Sequence, residues 1–482
     1  MKFIDFIWKC HPALVAGSGD KTTDIFFASR PRYKNGVTIL AIMLVAIASP
    51  AIADSETDAL RAQIKVLEAR LDELEKKQKI PSTEYRVPVA ENHKQPTIEV
   101  GAKGLSVTSP DQQYSLRLRA YAQMDTRTFQ NNSNASNVDN FLIRSARPII
   151  DAKMTDFVNG RLMMDFGNNQ TRLIDAYADI KPDPTSKLLT LRLGKQKTPV
   201  GLERWQSEQE IEFVERGLAT NLVPFRDVGA TAYGELAGGQ LEYNIGVSNG
   251  AVDLGDNNGA AGDNKDVSGR IFVKPEAVKG LGVGVAGSYG EHNGTSGAAN
   301  LTAGYVTIAQ SRFFSYSSGA YADGTQWRLN PQAYYYNGAF GAMGEYILNS
   351  QEINKAAAHD TLTNSAWMAM VGYVLTGENA SFDGVKPRQN FNWKNGDYGA
   401  FELVARAGEL RVDNSAFAAG GFADSAVSAR RAREMAVGAN WYFNSSLKFN
   451  VDLSNTQFDG GASGGADRED ETVLLTRTQF RF

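Results

Sequence analysis

From about residue 113 to its last residue the sequence repeats one pattern, and that repetition limits what it can fold into. Short segments alternate apolar and polar side chains, separated by loops rich in glycine, asparagine and serine. In residues 161–167 (RLMMDFG), Arg161, Met163 and Asp165 share one face, and Leu162, Met164 and Phe166 the other. In residues 172–180, Asp175, Tyr177 and Asp179 oppose Ile174, Ala176, Ala178 and Ile180. A period of two places a strand between two environments. A few such strands suit any half-buried sheet, but a long uninterrupted series suits a wall with oil on one side and water on the other. The mean hydropathy of −0.32 and the lack of a long apolar run argue against a membrane-spanning helix. They do not argue against a barrel, whose strands need only about ten residues each, every second one apolar.

Loop lengths test this reading. If the first strand rises from the periplasmic side, loops after odd strands are long and turns after even strands are short. Sixteen strands then fall at about 114–126, 140–154, 160–167, 171–181, 187–195, 226–234, 240–248, 266–273, 280–291, 326–336, 340–351, 365–376, 398–411, 430–443, 446–458 and 471–482. The hairpin at Tyr336-Asn337-Gly338 belongs on the periplasmic side. Residues 292–325 must then form one outer loop, although 301–316 has strand character. The long periplasmic connection, 377–395, is the exception to the rule. The count is even, so both barrel ends lie on one side. The last strand presents Thr478, Phe480 and Phe482 on one face and ends on an aromatic, as barrel-insertion signals do. Hydrocarbon would leave the backbone donors of an open sheet edge unsatisfied, so the sheet must close.

Ahead of the strands, residues 37–48 are apolar, with Arg30, Arg32 and Lys34 before them and Ala51-Ile52-Ala53 behind, the form of a secretory signal. The predicted organisation is a signal peptide with an N-terminal extension (1–53), a helix (54–80), an extended linker (81–112) and the barrel (113–482). In the helix Leu60, Ile64, Leu67, Leu71 and Leu74 recur at spacings of 4, 3, 4 and 3, a coiled-coil seam that wants a partner and would tie protomers together.

The net charge of −4 names no partner, and no basic blocks suited to nucleic acid occur. The single cysteine, Cys10, lies in the signal region, so a disulfide framework is not expected. Only His93, His292 and His359 remain beyond it, with no nucleophile–base–carboxylate set at useful spacing. No catalysis, cofactor or metal is predicted.

Residues 141–147 (FLIRSAR), 161–167 (RLMMDFG), Asp175-Ala176-Tyr177, 192–203 (RLGKQKTPVGLE), 215–218 (ERGL), Arg226-Asp227-Val228-Gly229 and 401–410 (FELVARAGEL) resemble the phosphate-selective porin O/P family. The resemblance implies an all-β fold, a 16-stranded antiparallel transmembrane β-barrel in the outer membrane of a Gram-negative bacterium. It further implies a trimer, anion selectivity and, as in several members, a short N-terminal periplasmic coiled-coil helix. Arg144 matches the first of an adjacent arginine pair at the family's anion site; the second position is Ser145. Lys195 falls where members place a constriction arginine, keeping the charge but losing the planar fork. Asp175 matches an aspartate that shares the site. The fifth outer loop, lined with arginines in the phosphate-selective members, holds only Arg312 here.

The third outer loop, 196–225, carries Lys197, Arg204 and Arg216, with Arg226 at its exit, but also Glu203, Glu208, Glu210, Glu212 and Glu215, so loop charge alone leaves selectivity open. Arg192 is a further candidate lumenal cation. Arg144 and Arg147, three apart, would lie on opposite faces of an unbulged strand. Trp327, Trp367 and Trp441, with Tyr334–Tyr336, Tyr442 and Phe443, read as an interfacial girdle. The expected function is passive diffusion of small hydrophilic solutes with a preference for phosphate or other small anions. Sugars and carboxylates remain open as solutes. The alternative is an envelope tether whose coiled coil holds peptidoglycan or a periplasmic partner.

Overall fold

The computed structural model describes residues 55–77, 95–130, 137–259, 262–418 and 421–482. The signal region lies outside them. Two compact units divide the chain near residue 89. In the first, helix α1 (Ser55–Lys77) falls where the leucine seam predicts it. Ile64, Leu67 and Leu71 are exposed on it, while the side chains of Leu60 and Leu74 lie outside the described residues.

The second unit is a closed sheet. A hairpin of β1 (Thr97–Gly101) and β2 (Gly104–Thr108) precedes it. The wall begins with β3 (Ser115–Phe129), β4 (Asn140–Lys153), β5 (Val158–Asp165), β6 (Arg172–Ile180), β7 (Thr190–Gln196) and β8 (Asp227–Leu236). It continues with β9 (Leu241–Ser248), β10 (Asp266–Val273) and β11 (Leu281–Asn293). Two short strands in the fifth loop, β12 (Tyr305–Val306) and β13 (Arg312–Phe314), pair only with each other. The wall resumes with β14 (Tyr321–Asn337), β15 (Phe340–Lys355), β16 (Ala358–Val374) and β17 (Ala400–Arg411). It ends with β18 (Ala429–Tyr442), β19 (Leu447–Gly460) and β20 (Glu471–Arg481). Each wall strand pairs antiparallel with the next, and β20 closes on β3 with Tyr121 opposite Arg481 and Phe129 opposite Val473. The barrel therefore has sixteen strands, as the loop parity required.

Alternation explains both faces. Leu191, Leu193, Ile245, Val247, Ile271 and Val285 are exposed on the outer face, an apolar belt of the kind that faces hydrocarbon in outer-membrane barrels. The inner face buries polar groups, and these lock the closing seam. The Arg477 guanidinium donates twice to the Asp125 carboxylate at 2.7 Å, and Gln123 donates to Gln479 at 2.8 Å.

Three local expectations change. The linker is not wholly extended, because β2 pairs with residues 115–118 of β3, where β20 does not reach. Between residues 352 and 364 there is no outer loop. β15 and β16 continue to a two-residue turn, since Ile353 and Leu362 keep the alternation going and bury inward. The aromatic girdle is also mixed: Trp327 and Trp367 face outward, and Trp441 stacks with Phe401 and Phe443 near the short-turn rim. Tyr336 and Tyr442 turn inward to the carboxylates of Glu212 and Glu402.

Candidate functional site

The third loop, residues 197–226, folds into the lumen because one side of it is apolar. Leu202, Phe213, Leu218 and Leu222 are almost wholly buried, packed with Met343, Ile347, Met368 and Val404 of the wall and with Tyr305, Phe313 and Phe314 of the fifth loop. Burying four such side chains is worth roughly 1.5–3 kcal/mol each, enough to hold the loop inward. Wall side chains satisfy its backbone. The Glu345 carboxylate accepts the N–H groups of Leu202 and Glu203 at 2.7 and 3.1 Å, capping the single turn α2 (Leu202–Trp205). Arg406, beneath the ring of Phe213, pairs with Glu203 at 3.1 Å and with Glu434 at 2.7 Å. The loop thus fills the β14–β19 side of the lumen.

Its charged side faces β3–β6. Two bulges in that wall decide what it meets. In β4, Gln123 pairs with Ser145 and Met124 with Ile143, so Arg144 is the extra residue. The bulge brings Arg144 and Arg147 to the same lumenal side, which their spacing of three would otherwise forbid. Arg144 is bound by Glu215, and Arg147 by Asp165 at 2.8 Å and by Glu208. Ser145, in the place of a second arginine, donates to Asp165 at 3.3 Å. In β6 the bulged residue is Ile174, and Asp175 accepts from Arg226 at 2.7 Å.

Between loop and wall lie two neighbouring chambers. The one toward the long loops, about 200 Å³, is lined by Arg144, Arg147, Arg172, Arg204 and Arg216 against Glu208 and Glu215. The one toward the short turns, about 300 Å³, shares Arg147, Glu208, Arg216 and Phe225 with it and adds Arg119, Arg161, Lys197 and Arg226 against Asp175 and Asp383. Asp151 and Asp165 at the wall offset part of this excess, but bases still outnumber acids. The loop's own charge count is misleading because most of its acids are turned away. Glu203 and Glu210 are spent on Arg406 and Arg481, and Glu212 is buried beside Tyr336 and Gln206.

The loop groups titrate accordingly. Burial alone would raise Glu215, but Arg144, Arg477 and Arg127 bring it to about 2. Glu208 is likewise held well below the usual carboxylate range, because Arg147, Arg216 and Arg144 outweigh its desolvation. Burial, then Arg226 and Arg216, push the Lys197 ammonium well down, and its donors go to the carbonyls of Trp205 and Gln206 at 2.8 and 2.9 Å. Burial and Arg216 lower Arg204 to about 9. Among the described residues, the buried Nε atoms of Arg172 and Arg204 have no hydrogen-bond partner.

Of the residues singled out from sequence, Arg144, Asp175, Lys197 and Arg204 therefore converge on the chambers. Lys195 does not line them; its ammonium is held by Asp256 and Asn258 of the fourth loop at 2.5 and 2.6 Å. Arg192 lies closer to the short-turn rim, bidentate to Asp179 at 2.7 and 2.8 Å and stacked 3.8 Å from the Tyr177 ring. Arg312 is exposed and outside both chambers. Arg216 and Arg226, noted in the sequence as third-loop cations, and Arg147, noted beside Arg144, join the site, together with Arg119, Arg161 and Arg172, which had not been singled out as candidates. The alternation of β3 and β5 could have marked Arg119 and Arg161, but the bulge that turns Arg147 and Arg144 together leaves no trace in residue types.

A family described as phosphate-selective porin O and P matches residues 115–482 of the sequence. No sequence among curated proteins matches the chain. Among solved structures, the outer membrane channel DcaP of Acinetobacter baumannii covers 78% of this chain with 99% of its own at 8% identity and a TM-score of 0.52, a likeness of fold. An anion-selective porin from Comamonas acidovorans covers 77% of this chain with 100% of its own, at 10% identity and a TM-score of 0.48. OmpT of Vibrio cholerae, in trimer form, covers 77% with 100% of its own, at 10% identity and a TM-score of 0.47.

Proposed function

Because this chain belongs to the phosphate-selective porin O and P family, and is thereby an outer-membrane porin for passive diffusion, we propose that small anions, phosphate among them, are its preferred solutes. The observation that carries this reading is the basic lining of the chambers, where arginines and Lys197 outnumber the carboxylates. Fixed cations in a narrow, partly dehydrated passage lower the barrier for anions and raise it for cations. The acids that remain, Glu208 and Glu215, sit against arginines. They hold the guanidinium groups in place and temper the field, so an entering anion is attracted and then released. With Ser145 in place of a second adjacent arginine and Lys195 bound elsewhere, the reading favours a channel of moderate anion preference over a high-affinity phosphate site.

Reversal potentials in planar bilayers across a KCl gradient test it. Chloride should permeate better than potassium, and phosphate added to either side should reduce chloride current. Cation preference would overturn the reading. Sugars or organic carboxylates that reduce the current more strongly than phosphate would place the preferred solute there instead.

The exposed Ile64, Leu67 and Leu71 of α1 support a second element of the proposal. Three copies of the helix join in a periplasmic coiled coil, and the porin is a homotrimer. Deleting residues 54–79 should loosen the oligomer with conductance intact. If the same deletion instead releases the protein from peptidoglycan and leaves the oligomer unchanged, the helix is an envelope tether.

A further inference from the structure

We infer that the connection between β16 and β17 is a second, periplasmic filter of the pore, and that Asp383 on it is a specificity-determining residue. The inference rests on the porin reading above. The other connections at the short-turn end run from two residues at 338–339 to nine at 181–189, whereas this one runs from 375 to 399. Rather than hanging below the barrel, it folds into the mouth. Ala380 and Val385 are buried against Val374, Ala400 and Tyr442. Phe382 stacks on the lumenal Tyr334 with ring centroids 5.2 Å apart.

There it meets the constriction loop arriving from the opposite end of the barrel. The Phe382 carbonyl accepts a hydrogen bond from the Gln206 side chain at 3.0 Å. Gly384, with φ +83°, lies against the Glu210 carboxylate so closely that a Cβ would sit 2.1 Å from its oxygen. The positive φ favours glycine there, and any larger residue would have to push the Glu210 carboxylate aside. An outer loop and a periplasmic connection therefore share one edge of the passage.

Asp383 occupies the tip of this edge. Its N–H is bound by Ser381 Oγ at 3.0 Å, and the Gly384 N–H by the Ser381 carbonyl at 2.9 Å, so a closed turn presents the carboxylate. It is exposed and lines the inner chamber with Arg119, Arg161 and Arg226, yet among the described residues it forms no ion pair. Glu208 and Asp175, the other acids of that chamber, are both paired with arginines. Asp383 is thus the acid there whose field is not spent on a neighbour. It opposes anions at the periplasmic step of the passage and keeps the pore from becoming strictly anion-selective, while Phe382 narrows that step.

The test compares Asp383→Asn with Glu276→Gln, which removes the same charge from an exposed residue of another short-turn connection, outside both chambers. In a dilute KCl gradient D383N should raise the chloride-to-potassium permeability ratio about three- to tenfold, as expected for one unit charge about 6–12 Å from the permeating ions in a water-filled mouth, and E276Q should leave it unchanged. Phe382→Ala should raise single-channel conductance. A D383N ratio no higher than that of E276Q would overturn the inference while leaving the porin reading intact. Wild-type protein without conductance would overturn the porin reading itself.

Discussion

The Arg144–Glu215 pair offers the sharpest perturbation of the outer chamber, because its two halves should act in opposite directions. Glu215 is ionised, held at about 2 by Arg144, Arg477 and Arg127 against its own desolvation. Arg144 enters the lumen only through the β4 bulge. An ion passing about 6 Å from either charge in a wet pore of effective dielectric near 40–80 gains or loses roughly 0.7–1.4 kcal/mol. Glu215→Gln lowers the anion barrier by that amount and raises the cation barrier equally. The chloride-to-potassium permeability ratio should therefore rise about tenfold or more, since about 1.4 kcal/mol is a factor of ten. Arg144→Gln should lower the ratio by a similar factor, and the double variant should return close to wild type. Reversal potentials measured with the dilute side below about 0.1 M salt keep the Debye length near 10 Å, so that screening does not hide the effect. A ratio that falls in E215Q or rises in R144Q would refute the reasoning, because it would place the permeating ion out of reach of this pair.

The same chemistry makes further demands. Glu208 and Glu215 are both held low, so neither should change selectivity as pH is lowered from 8 to about 5; in reversal potentials across that range, a drift toward anions would report Lys197, whose ammonium is pushed down, and a drift toward cation preference would contradict both assignments. Glu212 behaves oppositely: burial first, then Glu402, raises it to about 8 from 4.5. A carboxyl raised on folding holds its proton in the native state, so stability is greatest below about 4.5 and falls as pH rises toward 8. Melts followed by circular dichroism should show Glu212→Gln more heat-resistant than wild type above pH 8 and equal to it in acid. Leu222→Ala, at a fully buried position of the third loop, should cost about 2–5 kcal/mol of loop packing, read as a lower melting temperature and noisier single-channel current. Gly167→Ala would set a Cβ 2.5 Å from the Arg144 carbonyl oxygen, displacing the bulge. It should shift the permeability ratio in the direction of R144Q although no charge has changed.

How far the sequence went is clear from particular elements. All sixteen wall strands could be placed because their alternation is driven by two solvents, a signal that lies in residue types alone. The hairpin at Gly338 fixed the parity, and parity excluded residues 301–316 from the wall, where they form only the small β12–β13 pair. Loop folding was half legible. The length of the third loop marked it, but its acids outnumber its bases, and only packing on Met368 and Val404 reveals which of them face the passage. Bulges were not legible, because an extra residue at Arg144 changes register without changing composition. Lys195 fell in the expected strand yet was captured by Asp256, a partner sixty-one residues later. The β1–β2 hairpin was hidden by the prolines around it, which read as an extended linker.

That hairpin also determines how the barrel answers to force. A pull on the N-terminal segment enters at Thr97 of β1, and its partner Thr108 leads directly into β3, so load arrives at the open end of the ladder. Hydrogen bonds loaded from an open end break in succession, pair by pair, whereas strands pulled along their length resist together. The five pairs from Thr97–Thr108 to Gly101–Gly104 would yield in turn, and while they do the force passed on to β3 stays low. Residues 105–108 stay paired to β3, so the eight residues from 97 to 104, drawn out at about 3.3–3.6 Å each, release at most roughly 25–30 Å of slack. The hairpin would thus act as a mechanical fuse, giving way over two to three nanometres before a pull on the N-terminal segment could load the pore wall heavily.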